Sequence, residues 1–174
     1  HNALNRSVRE FSITQPAKIL NKTRELVIET FSRSADNVKD GMDISLCSWN
    51  TQTNELEWSG ANNPLYIIHN NESVINITQP NKQPVGKFEL NQDFTNHTVQ
   101  LKKGDTLYLF SDGFMDQFGG ENGKKYKYSR FRSFLLSIQD KLMEEQSILI
   151  ENEFLNWKGS LEQLDDVCIV GVRI

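Results

Sequence analysis

The sequence holds little cysteine, histidine or proline: two, three and four residues in 174. Cys47 and Cys168 lie far apart, each inside an apolar run that reads as strand. No disulfide framework and no Cys/His metal site is expected, and both thiols read as reduced core residues. His1, His69 and His97 share no ligand spacing. The longest apolar runs are a few residues, so no segment is expected to span a bilayer. Positive charge is not in excess: 19 Lys and Arg against 23 Asp and Glu leave a net charge of −4. That balance gives no electrostatic reason to expect nucleic acid or an anionic membrane as partner. A phosphate-cradling glycine loop, a P-loop lysine, a Ser-His-Asp set, internal repeats and low-complexity linkers are all missing.

What remains is sufficient for a core. Hydrophobic residues make up 37% of the chain, aromatics 10% and charged residues 24%, which excludes a disordered chain and fits one continuous domain over residues 1–174. Residues 1–11 read as a helix that begins with no capping signal, which suggests a cut upstream. After a break, Thr14 suits an N-cap with Pro16 in the first turn. Ile19, Leu20, Thr23, Leu26, Val27, Thr30 and Phe31 then mark one helical face.

The period changes to two from Asp40 onward. Strands are expected at 42–49, 55–60, 65–69, 73–77, 94–101 and 106–110, joined by tight turns. Trp49 and Trp58 are expected to pack across the first hairpin. A polar, glycine-rich stretch (111–125) precedes two helices, about 129–142 and 144–157. A final run, 167–174, reads as a strand buried on both faces. Helices, hairpins, helices and a strand in that order make an α+β protein with antiparallel sheets.

Two acidic sites stand out from the ordinary helix-face carboxylates. Asp112 follows the apolar strand ending at Phe110, and Asp165 and Asp166 precede the one starting at Val167. Antiparallel pairing of these strands would bring Asp112 close to Asp165. Carboxylates gathered at strand ends repel unless a cation neutralises them, and Mg²⁺ or Mn²⁺ takes such oxygen ligands. Gly113 would let the backbone turn sharply beside the ion. An ordinary Asp-Gly turn explains the same residues without any metal.

The segment Ser111-Asp112-Gly113-Phe114-Met115-Asp116-Gln117-Phe118-Gly119-Gly120 resembles the metal-dependent serine/threonine phosphatases of type 2C, in the bacterial branch typified by the sporulation phosphatase SpoIIE. Asp40-Gly41-Met42-Asp43-Ile44, Gly60-Ala61-Asn62-Asn63-Pro64-Leu65-Tyr66, Pro84-Val85-Gly86, Lys103-Gly104-Asp105 and Asp165-Asp166-Val167 follow in the matching order. The resemblance implies two antiparallel β-sheets sandwiched between helical layers, and a two-metal centre of Mn²⁺ or Mg²⁺. It implies metal-ligand roles for Asp112 and Asp165, a neighbouring role for Gly113 and Asp166, and a flap over residues 117–125 with Gly119, Gly120, Lys124 and Lys125. For those two lysines a solvated loop is the preferred reading.

The family's early aspartate strand and its Asp-Gly-His-Gly motif are missing from this sequence. The chain therefore reads as the C-terminal, larger part of such a domain, itself inactive or nearly so. The resemblance further implies a cytoplasmic protein acting on a phosphoprotein, of the kind exemplified by anti-sigma-factor antagonists, and joined to a sensory or repeat module. Open strand edges would favour self-association. The alternative is a regulatory interaction module that keeps the fold without the chemistry.

Overall fold

The computed structural model describes residues 2–32, 41–89 and 92–174. Asp40 and the start at His1 lie outside the described residues. The elements are α1 (Asn2–Arg9), α2 (Pro16–Ser32), β1 (Gly41–Met42), β2 (Ile44–Asn50), β3 (Glu55–Ala61), β4 (Leu65–Ile68), β5 (Ile75–Thr78), β6 (Val85–Gly86), β7 (His97–Gln100) and β8 (Thr106–Phe110), followed by α3 (Gly113–Asp116), β9 (Phe118–Gly119), β10 (Lys124–Lys125), α4 (Tyr128–Ser137), α5 (Met143–Lys158) and β11 (Ile169–Arg173). They fall into two compact units, one formed by residues up to Leu65 with Thr78–Leu101, the other by Tyr66–Ile77 with Lys102–Ile174.

In the first unit α2 begins with Pro16 at its first helical position, one residue later than a Thr14 cap requires. Proline loses nothing there, because that N–H has no helical acceptor. The face carrying Ala17 and Leu20 packs on Ala61, Val85 and Phe94, with Ile44 and Leu46 beside them. A buried hydroxyl pair, Ser7 Oγ to Thr23 Oγ1 at 3.0 Å, fastens α1 to α2. The sheet β2-β3-β7 is antiparallel, with register Cys47↔Trp58 and Trp58↔His97. Trp58 is fully buried, donates Nε1–H to Ser45 Oγ at 2.7 Å and has the His97 ring 5.4 Å away. Trp49 instead sits opposite Leu56 and is 38% exposed, so the expected Trp49–Trp58 pair gives way to Trp58–His97. Cys47 is half-buried rather than a core residue as expected, and the burial it has pushes its thiol up to about 12.

The second unit is a four-stranded sheet in the order β11-β8-β4-β5. Strand β8 pairs antiparallel with β4 on one side and β11 on the other. Its side chains Tyr108 and Phe110 join Tyr66, Phe114, Met115, Tyr126, Phe131, Leu135 and Phe154 in one core. The Phe114 ring lies 4.9 Å from Tyr126 and 5.1 Å from both Phe131 and Phe154. Such tilted and edge contacts stabilise beyond the burial of area alone.

One expectation fails here. β11 is not buried on both faces: it is an edge strand among the described residues, Val170 is 47% exposed, and Cys168 is exposed rather than a core thiol. A period-two apolar run cannot distinguish a central strand from an edge strand, because the neighbour that decides it is distant in sequence.

A buried carboxylate ties the opposite end of β8. Asp105, 1% exposed, accepts the N–H of Asn70 and of Lys102 and bonds His69 Nδ1, each at 2.9 Å. Burial by itself would raise its pKa. The two amide donors and His69 outweigh that and hold it below the usual carboxylate value. A depressed folded-state pKa stabilises above the unfolded value, about 3.9, and that contribution is lost as pH falls through the folded value. Asp105→Asn is therefore expected to lower stability by about 1–3 kcal/mol at neutral pH. The difference from wild type should shrink below about pH 4, read by urea unfolding across pH.

Candidate functional site

The register between β8 and β11 decides what meets at their ends. Ile169 pairs with Phe110, so continuing the ladder sets Ser111 opposite Cys168, Asp112 opposite Val167 and Gly113 opposite Asp166. The chain follows this: Ser111 N–H donates to Cys168 O at 2.9 Å, and the Ser111 hydroxyl donates to Asp166 O at 2.9 Å. Gly113 lies so close to the other strand that a Cβ there would stand 2.5 Å from Asp166 O. Glycine is needed at that contact because no side chain fits between the two backbones.

Asp112 is half-buried and is the N-cap residue of α3, with φ −76° and ψ −13°. Its carboxylate does not cap the helix. Across from it, Asp165 and Asp166 are exposed, and Asp166 N–H donates to Asp165 Oδ1 at 2.7 Å. Asp112, Gly113 and Asp166 are thus brought together, with Asp165 one residue further along the same loop. Among the described residues no three His, Cys, Asp or Glu side chains gather into a metal-holding group. The donors present, carboxylate oxygens beside a tight backbone approach, are of the hard type that suits Mg²⁺ or Mn²⁺, ions that keep several waters.

The loop carrying Asp165 is anchored by Gln117, which the resemblance placed at the start of a flap and the structure buries instead. Gln117 is fully buried: its Nε2 donates to Glu162 O at 2.9 Å and to Phe118 O at 3.0 Å, and its Oε1 accepts Leu164 N–H at 3.3 Å. Its carbonyl accepts Trp157 Nε1–H at 3.0 Å. Nothing separates this glutamine from its polar neighbours until the fold buries it.

The residues expected in a flap form a small hairpin. Lys124 pairs with Gly119 and Lys125 with Phe118. The hairpin rests on the end of α5, where a Cβ at Gly119 would reach 1.8 Å from Trp157 O and one at Gly120 would strike the Trp157 ring. Lys125 forms an ion pair with Asp116 at 3.0 Å, while Lys124 lines a separate cavity of about 420 Å³ with Arg130 and Trp157. Arg130 lies 4.3 Å over the Trp157 ring. The two lysines therefore diverge, and both are exposed, on a two-residue strand of the hairpin. In the other unit, Asn62 turns a corner at φ 59° and donates Nδ2–H to Asp43 Oδ1 at 2.8 Å.

Solved structures that superimpose on this chain include phosphatase domains. The SiaA-PP2C domain of Pseudomonas aeruginosa superimposes with a TM-score of 0.87 at 25% identity, covering 99% of this chain and 66% of that one. The PP2C phosphatase domain of SpoIIE from Bacillus subtilis, solved with a fragment of its regulatory domain, gives 0.71 at 18% identity, covering 99% and 48%. RsbX in complex with magnesium gives 0.65 at 15% identity, covering 98% and 70%. No curated protein matches the chain in sequence. The mixed α+β fold, antiparallel sheets with helices, is that of the PP2C phosphatases. More narrowly, the chain belongs to the Stage II sporulation protein E (SpoIIE) family, which matches residues 2–174. It spans just under two thirds of the length of the SiaA domain.

Replacing Gln117 by alanine should free the Asp165 loop from its anchor. The expected loss is about 1–3 kcal/mol in urea unfolding, with faster amide exchange at Leu164.

Proposed function

We propose that this chain is the larger, C-terminal part of a domain that hydrolyses phosphoserine or phosphothreonine on a protein with the help of Mn²⁺ or Mg²⁺. The observation that carries this reading is the β8–β11 register, which sets Asp112 beside the loop of Asp165 and Asp166. Asp112 and Asp165 would hold the metal, and Asp166 would stand beside it toward the phosphate. When bound, such a metal pair supplies a water nucleophile at neutral pH and neutralises charge on the phosphoryl oxygens. Asp112 meets this need because half-burial on a rigid strand end limits the geometries its carboxylate can take. Gly113 lets the opposing backbone close in. Lys125 is already paired with Asp116 and brings no unneutralised charge to a phosphate.

Two carboxylates among waters make a weak site, and a two-metal clamp needs a further bridging ligand. The 174 residues alone are therefore read as inactive or nearly so. A related structure that includes part of a regulatory domain supports a regulatory partner for the full-length protein. The substrate proposed is a phosphoprotein, of which an anti-sigma-factor antagonist is the example, in the cytoplasm. No helix among the described residues is long and apolar enough to cross a membrane. The edge of β11 is the proposed route to self-association.

A second reading, a regulatory module without catalysis, is favoured by the lack of any three-carboxylate group among the described residues. Phosphate release from a phosphoserine peptide with Mn²⁺ separates the two. The chain extended at its N-terminus should turn over while the 174-residue chain does not, and Asp112→Asn in the extended form should lower the rate by roughly a hundredfold. An inactive extended chain would favour the module. Brisk turnover by the 174 residues alone would refute their inactivity.

A further inference from the structure

We infer that the Ser111 hydroxyl is a positioning group that sets the spacing between Asp112 and the Asp165–Asp166 loop, and with it the affinity for the divalent metal. The inference rests on the metal-site reading proposed above. In an antiparallel ladder a hydrogen-bonded pair exchanges two backbone bonds, N–H to O in each direction. The Ser111–Cys168 pair makes only one of them in the ordinary way, Ser111 N–H to Cys168 O at 2.9 Å. The return bond does not go to the Ser111 carbonyl. Cys168 N–H donates to Ser111 Oγ at 2.9 Å.

The same oxygen donates its own proton to Asp166 O, also at 2.9 Å. One hydroxyl thus uses its proton and a lone pair to hold two points of the opposite strand. Substituting for the backbone carbonyl releases the chain from ladder geometry one residue before Asp112. That residue then takes a helical conformation, φ −76° and ψ −13°, and starts α3. The ladder ends where the proposed ligand begins, without separating the two strands. Gly113 closes the arrangement from the far side of Asp112, where only its missing Cβ lets Asp166 O approach. Asp112 is bracketed by Ser111 and Gly113, both in direct contact with the segment that carries Asp165.

Groups that orient metal-binding side chains typically alter affinity by ten- to a hundredfold when removed. Alanine at 111 removes the donor and the acceptor together, whereas threonine retains both on the same Cβ. Mn²⁺ titration of the 174-residue chain by water-proton relaxation, with metal-free thermal unfolding alongside, tests the role. Ser111→Ala should bind Mn²⁺ about tenfold more weakly, and Ser111→Thr should stay close to wild type. An S111A protein of wild-type Mn²⁺ affinity, in a background where Asp112→Asn abolishes binding, would overturn the positioning role while leaving the metal site intact. Binding that survives D112N, or no binding by the wild type even at high Mn²⁺ concentration, would overturn the site reading itself. A fall in affinity shared by S111T and S111A would also count against the role, since only one of them lacks the hydroxyl. If S111A does not fold, Ser111→Cys takes its place, because a thiol bonds weakly and at longer range. An affinity between those of S111T and D112N is then expected, and wild-type affinity would refute the inference.

Discussion

The second unit depends on one hydrogen-bonded ladder, the antiparallel pairing of β8 with β11. Five residue pairs from Ile169↔Phe110 to Arg173↔Thr106 fix the two strands. A slip of one residue would turn every β11 side chain to the opposite face and move Asp165 and Asp166 relative to Asp112. At both ends further backbone bonds extend the ladder, and side chains brace them. At one end Ser111 bonds Asp166 and Cys168. At the other, Asp105 gathers His69, Asn70 and Lys102, and its carbonyl accepts Ile174 N–H at 2.9 Å. Register is thereby specified where a slip would otherwise start.

Packing converts that register into a rigid strand end. Phe110 and Phe114 flank Ser111-Asp112-Gly113 in sequence, and both are sunk in the aromatic core, with Phe131 5.3 Å from Phe110 and 5.1 Å from Phe114. Asp112 is therefore held between two buried rings, although it is itself only half-buried. The Asp165 loop has no apolar anchor of this kind. Its residues 161–166 are exposed, and the amide of Gln117 and the hydroxyl of Ser111 tie them down. The two proposed ligands are thus held by different means, one by hydrophobic burial and one by hydrogen bonds from the Gln117 and Ser111 side chains.

Much of this was legible in the sequence because its signals are local. Thr106–Phe110 reads as a strand from its unbroken apolar run, and α2 from its repeating face. Antiparallel sheets followed from turns too short for crossovers, and the meeting of Asp112 with the Asp165 loop followed from pairing those strands. What escaped depends on neighbours distant in the chain. The edge position of β11, the exposure of Cys168 and the partner of Trp58 are set by which strand lies alongside, and periodicity carries no such information. The bonding roles of Gln117 and Ser111 escaped for a related reason: a lone polar residue in a polar stretch acquires meaning only once burial or a strand end gives its hydrogen bonds a direction.

The sheet order also says something about time. During synthesis β4, β5 and β8 leave the ribosome before the two helices that separate β8 from β11, so β8 can join β4 while its other edge is still open. Asp112 is then present at a strand end with nothing opposite it. The partner loop arrives only when β11 has been made, and closing the long connection through α4 and α5 is the slow, entropically opposed step. The geometry of the proposed metal site is consequently the last property this unit acquires, and a nascent chain stalled before β11 would have most of its aromatic core but only one side of that site.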